Sequence, residues 1–253
     1  MSVANKVAMV TGAAQGIGRA ASEVLLKNGA SVMLADMNEM QGASTLADLS
    51  QQFGKSRVAF VKCDITKQDQ LDAAFATTKS TLGGIDIVFN NAGIGDEGNG
   101  WELTVDVNVK GTMKATKTAL DHLRKDKGGR GGVIVNMASM AGLNPNPCGP
   151  VYCATKAAVI MFSRCWAMNP DVSANGVRIN VLAPAFVDTD LLKGLQGGAG
   201  INRPDIAAKM VQMVGVMSVE QLAEAFMELV TDDTKTNAVL TISANTGKAY
   251  YGQ

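Results

Sequence analysis

Short apolar runs rich in β-branched residues alternate with longer amphipathic segments along the whole chain. A continuous apolar run predicts a strand buried on both faces, and an intervening helix predicts parallel pairing of the strands it connects. The predicted strands are Val7–Val10, Ser31–Ala35, Val58–Val61, Ile85–Phe89, Val133–Asn136, Val177–Leu182 and Val239–Ile242. The predicted helical segments include Gly18–Asn28, Asp69–Leu82, Leu103–Arg124, Val151–Met168 and Val219–Val230. The pattern indicates an α/β fold with a doubly wound, mainly parallel, seven-stranded sheet and helices on both faces.

No repeat, proline-rich linker or break in composition divides the 253 residues, so we expect one domain, residues 1–253. Two glycine-dense segments, Gly93–Gly100 and Gly194–Gly200, interrupt the alternation. Such backbone is compatible with a plain surface loop, and equally with a lid over the carboxyl ends of the strands. We place the possible substrate lid within residues 185–215.

Charge and composition narrow the function. The 23 Lys and Arg residues balance the 23 Asp and Glu residues, which disfavours a nucleic-acid partner. The single histidine, His122, leaves little for a Ser-His-Asp triad or a multi-histidine metal site, so we expect no metal. The four cysteines form no C-x-x-C pair, and no segment approaches the ~18 apolar residues of a membrane span. We therefore expect a cytoplasmic protein without a membrane partner.

A glycine-rich turn, Thr11-Gly-Ala-Ala-Gln-Gly-Ile-Gly18, directly follows the first predicted strand and opens a helix. Glycine lets the backbone turn sharply and approach a pyrophosphate, whose charge is favoured by the free N–H groups at a helix start. A purely structural turn is the alternative. The expected contacts in this turn are Gly12, Gln15, Gly16, Ile17 and Gly18.

The second predicted strand ends at Asp36, where an acidic side chain can accept hydrogen bonds from the adenosine ribose and would repel a 2′-phosphate. A helix-capping role is the alternative. Because neither Ala13, Ala14 nor Met37 supplies a cation for a 2′-phosphate, the expected cofactor is NAD. The next two strand ends add possible contacts to the adenine and beyond, although tight-turn roles explain them equally well. These residues are Met37, Cys63, Asp64, Ile65, Asn91, Ala92 and Gly93.

Tyr152 and Lys156 lie four residues apart near the start of a predicted helix, so both side chains share one face. A neighbouring ammonium favours the phenolate, and we expect it to lower the tyrosine pKa enough for general-base work. Ser139 follows the fifth strand and could hydrogen-bond the same substrate oxygen. Asn108 lies inside a predicted helix, although asparagine has a low helix propensity. It therefore marks either a local kink or an exposed neutral position.

Taken together, these motifs resemble the short-chain dehydrogenases/reductases over the whole chain, which implies a Rossmann fold. The resemblance implies that Asn108, Ser139, Tyr152 and Lys156 are catalytic, with Tyr152 and Lys156 also contacting the nicotinamide ribose. It further implies that Pro184, Val187 and Thr189 line the carboxamide end of the cofactor. A homodimer or homotetramer built on Leu103–Arg124 and Val151–Met168 is also implied.

The implied reaction oxidises a secondary alcohol to a ketone with NAD⁺. A hydrophobic or allylic substrate is expected, because Phe186 and Leu191, with Leu192, Met210 and Met213, could line an apolar pocket. Ordinary core packing is the alternative for these residues. Some members of the family carry a glutamine three residues before the tyrosine that helps hold the substrate hydroxyl, whereas this chain has Gly149. An NAD-binding regulatory or scaffold protein with little turnover is the competing function.

Overall fold

The computed structural model describes residues 2–196 and 202–252. Its strands form a single sheet with the order β3-β2-β1-β4-β5-β6-β7-β8. The strands are β1 (Val7–Thr11), β2 (Ser31–Asp36), β3 (Val58–Lys62), β4 (Ile87–Asn90), β5 (Gly132–Met137), β6 (Val177–Pro184), β7 (Val239–Ser243) and β8 (Gly247–Tyr250). All neighbours from β3 to β7 pair in parallel, which confirms the predicted doubly wound sheet.

The sheet has one strand more than the seven predicted. The additional strand, β8, pairs antiparallel with β7 at the edge of the sheet. Gly247, Lys248 and Ala249 are exposed, so the segment lacks the continuous apolar run that marks the buried strands.

The helices are α1 (Gly16–Lys27), α2 (Glu39–Phe53), α3 (Gln68–Leu82), α4 (Trp101–Val105), α5 (Thr112–Leu123), α6 (Pro150–Ala167), α7 (Pro170–Ala174), α8 (Asp190–Gln196), α9 (Pro204–Val214) and α10 (Val219–Thr231). The predicted helix Leu103–Arg124 is interrupted by a π-helical segment, Asp106–Gly111, between α4 and α5. This segment supplies the kink expected at Asn108 and excludes a regular helix across it.

Helices cover both faces of the sheet, and successive residues of β1 face opposite layers. Ala8 and Val10 pack with residues of α1 and α10, whereas Met9 packs with residues of α3 and α5. In the first layer the rings of Phe89 and Phe226 stack with centroids 4.3 Å apart. Burial on both faces explains why the parallel strands are mainly apolar, with Arg178 and Asn180 of β6 among the exceptions.

The strand order reverses between β1 and β4. From β1 the sheet continues through β2 and β3 on one side, and from β4 it continues through β5, β6 and β7 on the other. Ligands of such sheets bind in the crevice outside the carboxyl ends of the strands at this switch point. Among the described residues, no helix is long and apolar enough to cross a membrane.

Candidate functional site

A cavity of about 1100 Å³ lies at the carboxyl ends of the parallel strands. Nearly all of the sequence-predicted site residues line it. They are Gly12, Gln15, Gly16, Ile17, Asp36, Met37, Cys63, Asp64, Ile65, Asn91, Ala92, Gly93, Ser139, Gly149, Tyr152, Lys156, Pro184, Phe186, Val187, Thr189 and Leu191. The exceptions are Gly18 and Asn108, which are buried behind the cavity wall. The structure therefore brings together motifs that lie far apart in the sequence.

The glycine-rich turn connects β1 to α1 and requires its glycines for two different reasons. Gly12 adopts a left-handed backbone conformation with φ +63°, and a Cβ there would lie 2.9 Å from the Cα of Ala92. A Cβ on Gly18 would lie 2.1 Å from the carbonyl oxygen of Gly12. Gly18 thus allows α1 to approach the turn closely, and its contact with the cofactor stays a prediction.

The turns after β1 and β4 are tied together by side-chain hydrogen bonds. The Thr11 hydroxyl accepts from the N–H groups of Asn91 and Ala92 at 3.1 and 3.2 Å. The Asn91 amide donates to the carbonyl groups of Thr11 and Gly12. Asn91 therefore holds the glycine-rich turn in shape, which is the structural alternative to a ligand contact, while still lining the cavity.

Asp36 does not take the alternative helix-capping role, because the N-cap of α2 is Asn38. Its ribose contact stays a prediction. Its carboxylate accepts from the N–H groups of Ala14 and Asn38 at 2.9 Å each, and it lines the cavity at the end of β2. Asp64 is held similarly, because its Oδ1 accepts from the N–H and hydroxyl groups of Thr66. Burial, with the nearby charges of Asp64 and Asp36, raises the pKa of Cys63 to about 12, so this thiol stays neutral at pH 7.

Ser139, Tyr152 and Lys156 converge on one wall of the cavity. Tyr152 lies in the first turn of α6, and Lys156 follows one turn later on the same face, with its Nζ 5.4 Å from the tyrosine ring centroid. The Lys156 ammonium donates to the carbonyl oxygen of Met137 at 3.2 Å. The Ser139 hydroxyl donates to the carbonyl oxygen of Pro184 at 3.3 Å, and its oxygen accepts from the N–H of Ala141 at 3.1 Å.

Burial shifts the pKa values of both ionisable groups towards their neutral forms. It raises the pKa of Tyr152 to about 12, although the neighbouring Ser139 hydroxyl acts in the opposite direction. It lowers the pKa of Lys156 to about 8. The expected lowering of the tyrosine pKa by Lys156 is wrong for the protein alone, because burial of the phenol is the largest effect and raises the pKa.

Asn108 does not reach the cavity and is fully buried, which excludes the exposed neutral position. Its Oδ1 accepts from the N–H of Ile94 at 2.9 Å, and its Nδ2 donates to the carbonyl of Ile94 at 2.8 Å. Nδ2 also donates to the Thr155 hydroxyl, which in turn donates to the Tyr152 carbonyl. In this structure Asn108 therefore positions the loop after β4 and α6.

The predicted lid region is partly helical and supplies apolar wall. Leu191 and Leu192 of α8 and Met210 of α9 line the cavity, whereas Met213 is 74% exposed and does not. Of the predicted lid segment Gly194–Gly200, residues 197–200 lie outside the described residues. The N–H of Asn202 donates to the carbonyl of Cys148, which brings the chain after that gap to the rim of the cavity.

Sequence reasoning missed Glu97, one of several charged residues that line the cavity without having been predicted. It lines the cavity, and its carboxylate accepts hydrogen bonds from the backbone N–H groups of Val151 and Tyr152 in α6. A glutamate in a glycine-dense loop carries no local signal of this role, because its partners lie more than 50 residues away in the sequence. Asn144, Asn146 and Cys148 of the wall were missed for the same reason.

Comparison with protein families gives a match between residues 6–199 and the short chain dehydrogenase model. The chain belongs to the short-chain dehydrogenase family. It is therefore a short-chain oxidoreductase, as the combined motifs predict.

Individual relatives are similar over nearly the full length. The chain is 41% identical to 15-hydroxyprostaglandin dehydrogenase [NAD(+)] of Mus musculus, over 98% of this chain and 93% of that protein. Identity to the enzyme of the same name from Homo sapiens is 38%, over 98% and 94% of the two chains. The glycine-rich turn, Trp101 and the segment around Tyr152 indicate a chain most like NAD-dependent 15-hydroxyprostaglandin dehydrogenase within the family, and this similarity is confirmed.

Solved structures support the fold. NAD⁺-bound xylitol dehydrogenase superposes with a TM-score of 0.85 at 23% identity, covering 96% of this chain and 99% of that chain. A short-chain dehydrogenase/reductase from Burkholderia phymatum in complex with NAD gives a TM-score of 0.81 at 26% identity, covering 94% and 90%. The Rossmann-like α/β architecture predicted from the alternating pattern is thereby confirmed.

Proposed function

We propose that this protein oxidises a hydrophobic or allylic secondary alcohol to a ketone with NAD⁺. The observation that carries the proposal is the convergence of Ser139, Tyr152 and Lys156 on the cavity that the glycine-rich turn also lines. The alternative, a regulatory or scaffold protein that binds NAD with little turnover, would not require these three groups on one wall.

The residues at the strand ends fit NAD. At Gly12 the backbone passes so close to Ala92 that only glycine leaves room for the turn, and the first N–H groups of α1 favour a pyrophosphate. The Asp36 carboxylate is the charged group where a ribose 2′-phosphate would lie, so it disfavours NADP. NAD-dependent relatives support the same choice. Pro184, Val187 and Thr189 would hold the carboxamide end.

In the proposed mechanism, Ser139 and Tyr152 hold the substrate hydroxyl and Tyr152 removes its proton. Bound NAD⁺ would supply the acceptor for the hydride of the carbinol carbon and a positive charge that favours the phenolate. Lys156 is fixed by the Met137 carbonyl, where it can hold the nicotinamide ribose and place a cation near the phenol. Asn108 holds α6 and the loop after β4 in a fixed relative position.

The substrate class follows from the apolar residues that line the same cavity as the reacting groups. Phe186, Leu191, Leu192 and Met210 form an apolar surface suited to a hydrocarbon chain, and the relatives named 15-hydroxyprostaglandin dehydrogenase point to an allylic lipid alcohol. Gly149 provides no side chain to bond the substrate oxygen. A site lacking that polar contact should select its substrate mainly by apolar shape.

The test follows NADH absorbance at 340 nm with NAD⁺ and a panel of alcohols that includes oct-1-en-3-ol, octan-2-ol and a 15-hydroxyprostaglandin. Replacement of Tyr152 by Phe removes the base and keeps the ring, so we expect turnover to fall by roughly 10²–10⁴ while NAD⁺ binding survives. Tyr251→Phe is the control, because that side chain is exposed and does not line the cavity. Binding of NAD⁺ without turnover of any alcohol would favour the scaffold function.

We also infer that the protein is a homodimer or homotetramer, as the family resemblance implies. From Ala154 to the C-cap of α6, the exposed positions lie at helical spacing and are all small or apolar, and they form one stripe. The stripe consists of Ala154, Ala157, Met161, Cys165 and Met168. A second copy of this chain is the occupant we propose for it. The expected cytoplasmic location stays a prediction.

A further inference from the structure

Glu97 connects the loop after β4, residues 91–100, to the helix that carries Tyr152. Its Oε2 accepts from the N–H of Val151 at 2.9 Å, and its Oε1 accepts from the N–H of Tyr152 at 2.6 Å. N–H groups in the first turn of a helix have no partner within the helix. Gly149, the N-cap residue of α6, makes no side-chain capping bond. The cap of α6 is therefore supplied from a distant loop.

The loop that bears Glu97 is itself held at two neighbouring points. Asn108 bonds both backbone groups of Ile94, and the Thr104 hydroxyl bonds both the N–H and the carbonyl of Asp96 at 3.0 Å each. Between them, the backbone of Gly95 lies against the catalytic ring, because a Cβ there would be 3.5 Å from the Cδ2 of Tyr152. Glu97 thus extends a fixed segment to the backbone of α6.

Charge strengthens this contact. A carboxylate at a helix N-terminus interacts favourably with the helix dipole, and its bonds to backbone N–H groups are charge-assisted. The carboxylate also borders the cavity beside the reacting end, since a Cβ at Gly149 would lie 3.2 Å from its Oε1. Loss of the carboxylate would free the first turn of α6 where the phenol must meet the substrate.

We propose that Glu97 is a positioning residue that caps α6 and holds Tyr152 in its catalytic position. This inference rests on the proposed function only in taking Tyr152 as the base. A displacement of about 1 Å at a reacting group can lower a rate by about 10²-fold, so the position of one helical turn matters for kcat.

The test compares Glu97→Ala and Glu97→Gln with the control Asp96→Asn. Each of the three removes one negative charge from the same loop, but the Asp96 side chain bonds the N–H of Gly98 and makes no contact with α6 among its described hydrogen bonds. Glu97→Gln keeps one acceptor oxygen, so it should lie between wild type and Glu97→Ala. Hydrogen–deuterium exchange measures the cap directly, at the amides of Val151 and Tyr152.

For Glu97→Ala we expect faster exchange at these amides and a kcat for oct-1-en-3-ol oxidation lowered roughly 10- to 100-fold. NAD⁺ affinity should be unchanged, and deuterium at the carbinol carbon should slow kcat more than in wild type, because the chemical step becomes rate-limiting. Asp96→Asn should match wild type in every measurement. Unchanged amide exchange, or unchanged kcat per folded molecule, would overturn the proposal.

These outcomes separate the two proposals. If wild type turns over no alcohol of the panel, the proposed function fails, and amide exchange still decides whether Glu97 caps α6. If wild type is active and Glu97→Ala loses NAD⁺ affinity in parallel with kcat, the site has collapsed generally and the positioning role is wrong.

Discussion

At the scale of single residues, Lys156 shows how chemistry and stability oppose each other. Its ammonium is buried and donates a hydrogen bond to the Met137 carbonyl. None of the described ion pairs joins it to a carboxylate. Burial lowers its pKa from 10.5 to about 8. Between these values the unfolded chain binds more protons than the folded protein, so this group makes the folded state more stable as pH rises from about 8 to 10.5. At neutral pH the buried charge therefore destabilises the fold.

We expect Lys156→Met to abolish alcohol oxidation and to raise the midpoint of thermal unfolding at pH 7. Each kcal/mol shifts the midpoint by about 2–4 °C in a domain of this size, so an increase of several degrees is expected. The gain should shrink at pH 10, because the wild-type amine is then largely neutral. Calorimetry at both pH values measures this. Lys117→Met, on the exposed surface of α5, is the control, and an equal gain at both pH values would contradict the prediction.

Residues whose chemistry is local to a motif could be predicted from the sequence. Tyr152 and Lys156 share a helix face because they are four residues apart, and Ser139 follows a strand that must end at the same edge of the sheet. The pKa values could not be predicted, because they depend on burial by residues from several elements. The role of Glu97 could not be predicted either, since Glu97 lies in a loop and its hydrogen-bond partners belong to α6.

At the scale of elements, the π-helical segment Asp106–Gly111 turns Asn108 towards the loop after β4. Replacement of Asn108 by Leu would leave both backbone groups of Ile94 without these partners and free the Thr155 hydroxyl. A buried polar group without a partner destabilises a fold by about 1–3 kcal/mol.

For Asn108→Leu we expect lower thermal stability and a kcat reduced by about 10²-fold, because the hydrogen bonds that join α6 to the loop after β4 are lost. NAD⁺ affinity should change less than kcat. Steady-state kinetics and calorimetry check this, with Asp106→Asn as the control, since Asp106 pairs with Lys110 on the exposed side of the same segment. A wild-type kcat in folded Asn108→Leu would show that this network has no part in catalysis.

Elements with a clear pattern of apolar residues were predicted from the sequence, and elements without such a pattern were not. The seven parallel strands are mainly apolar because helices cover both faces of the sheet. In contrast, β8 is a short, exposed edge strand that pairs with β7 alone among the described strands. The kink at Asn108 was predictable from helix propensity, but its π-helical form was not, because that form is stabilised by bonds to Ile94.

At the scale of the whole molecule, the exposed surface of α6 indicates how copies of the chain assemble. Monomers rarely expose a continuous apolar stripe on a helix. From Ala154 to the C-cap, α6 exposes five small or apolar residues that lie three or four positions apart in the sequence. Trp101, 45% exposed at the start of α4, lies beside the same helix in an apolar groove that Val151 and Ala154 also line. Tyr152 and Lys156 lie on another side of α6, so assembly through the stripe would leave the cavity open.

We therefore expect light scattering after gel filtration to give a mass of two or four chains of 26.4 kDa. Met161→Lys places a charge in the middle of the stripe, where Met161 is 62% exposed in the single chain, and it should shift the mass to one chain because an unpaired buried charge disfavours association. Met40→Lys makes the same change at a residue of α2 that is 84% exposed, and it should leave the assembly unchanged. If Met161→Lys keeps the wild-type mass, the stripe is not the interface. If the monomeric variant also loses turnover, the partner contributes to the order of α6, the element in which Glu97 and Asn108 already hold Tyr152 in place.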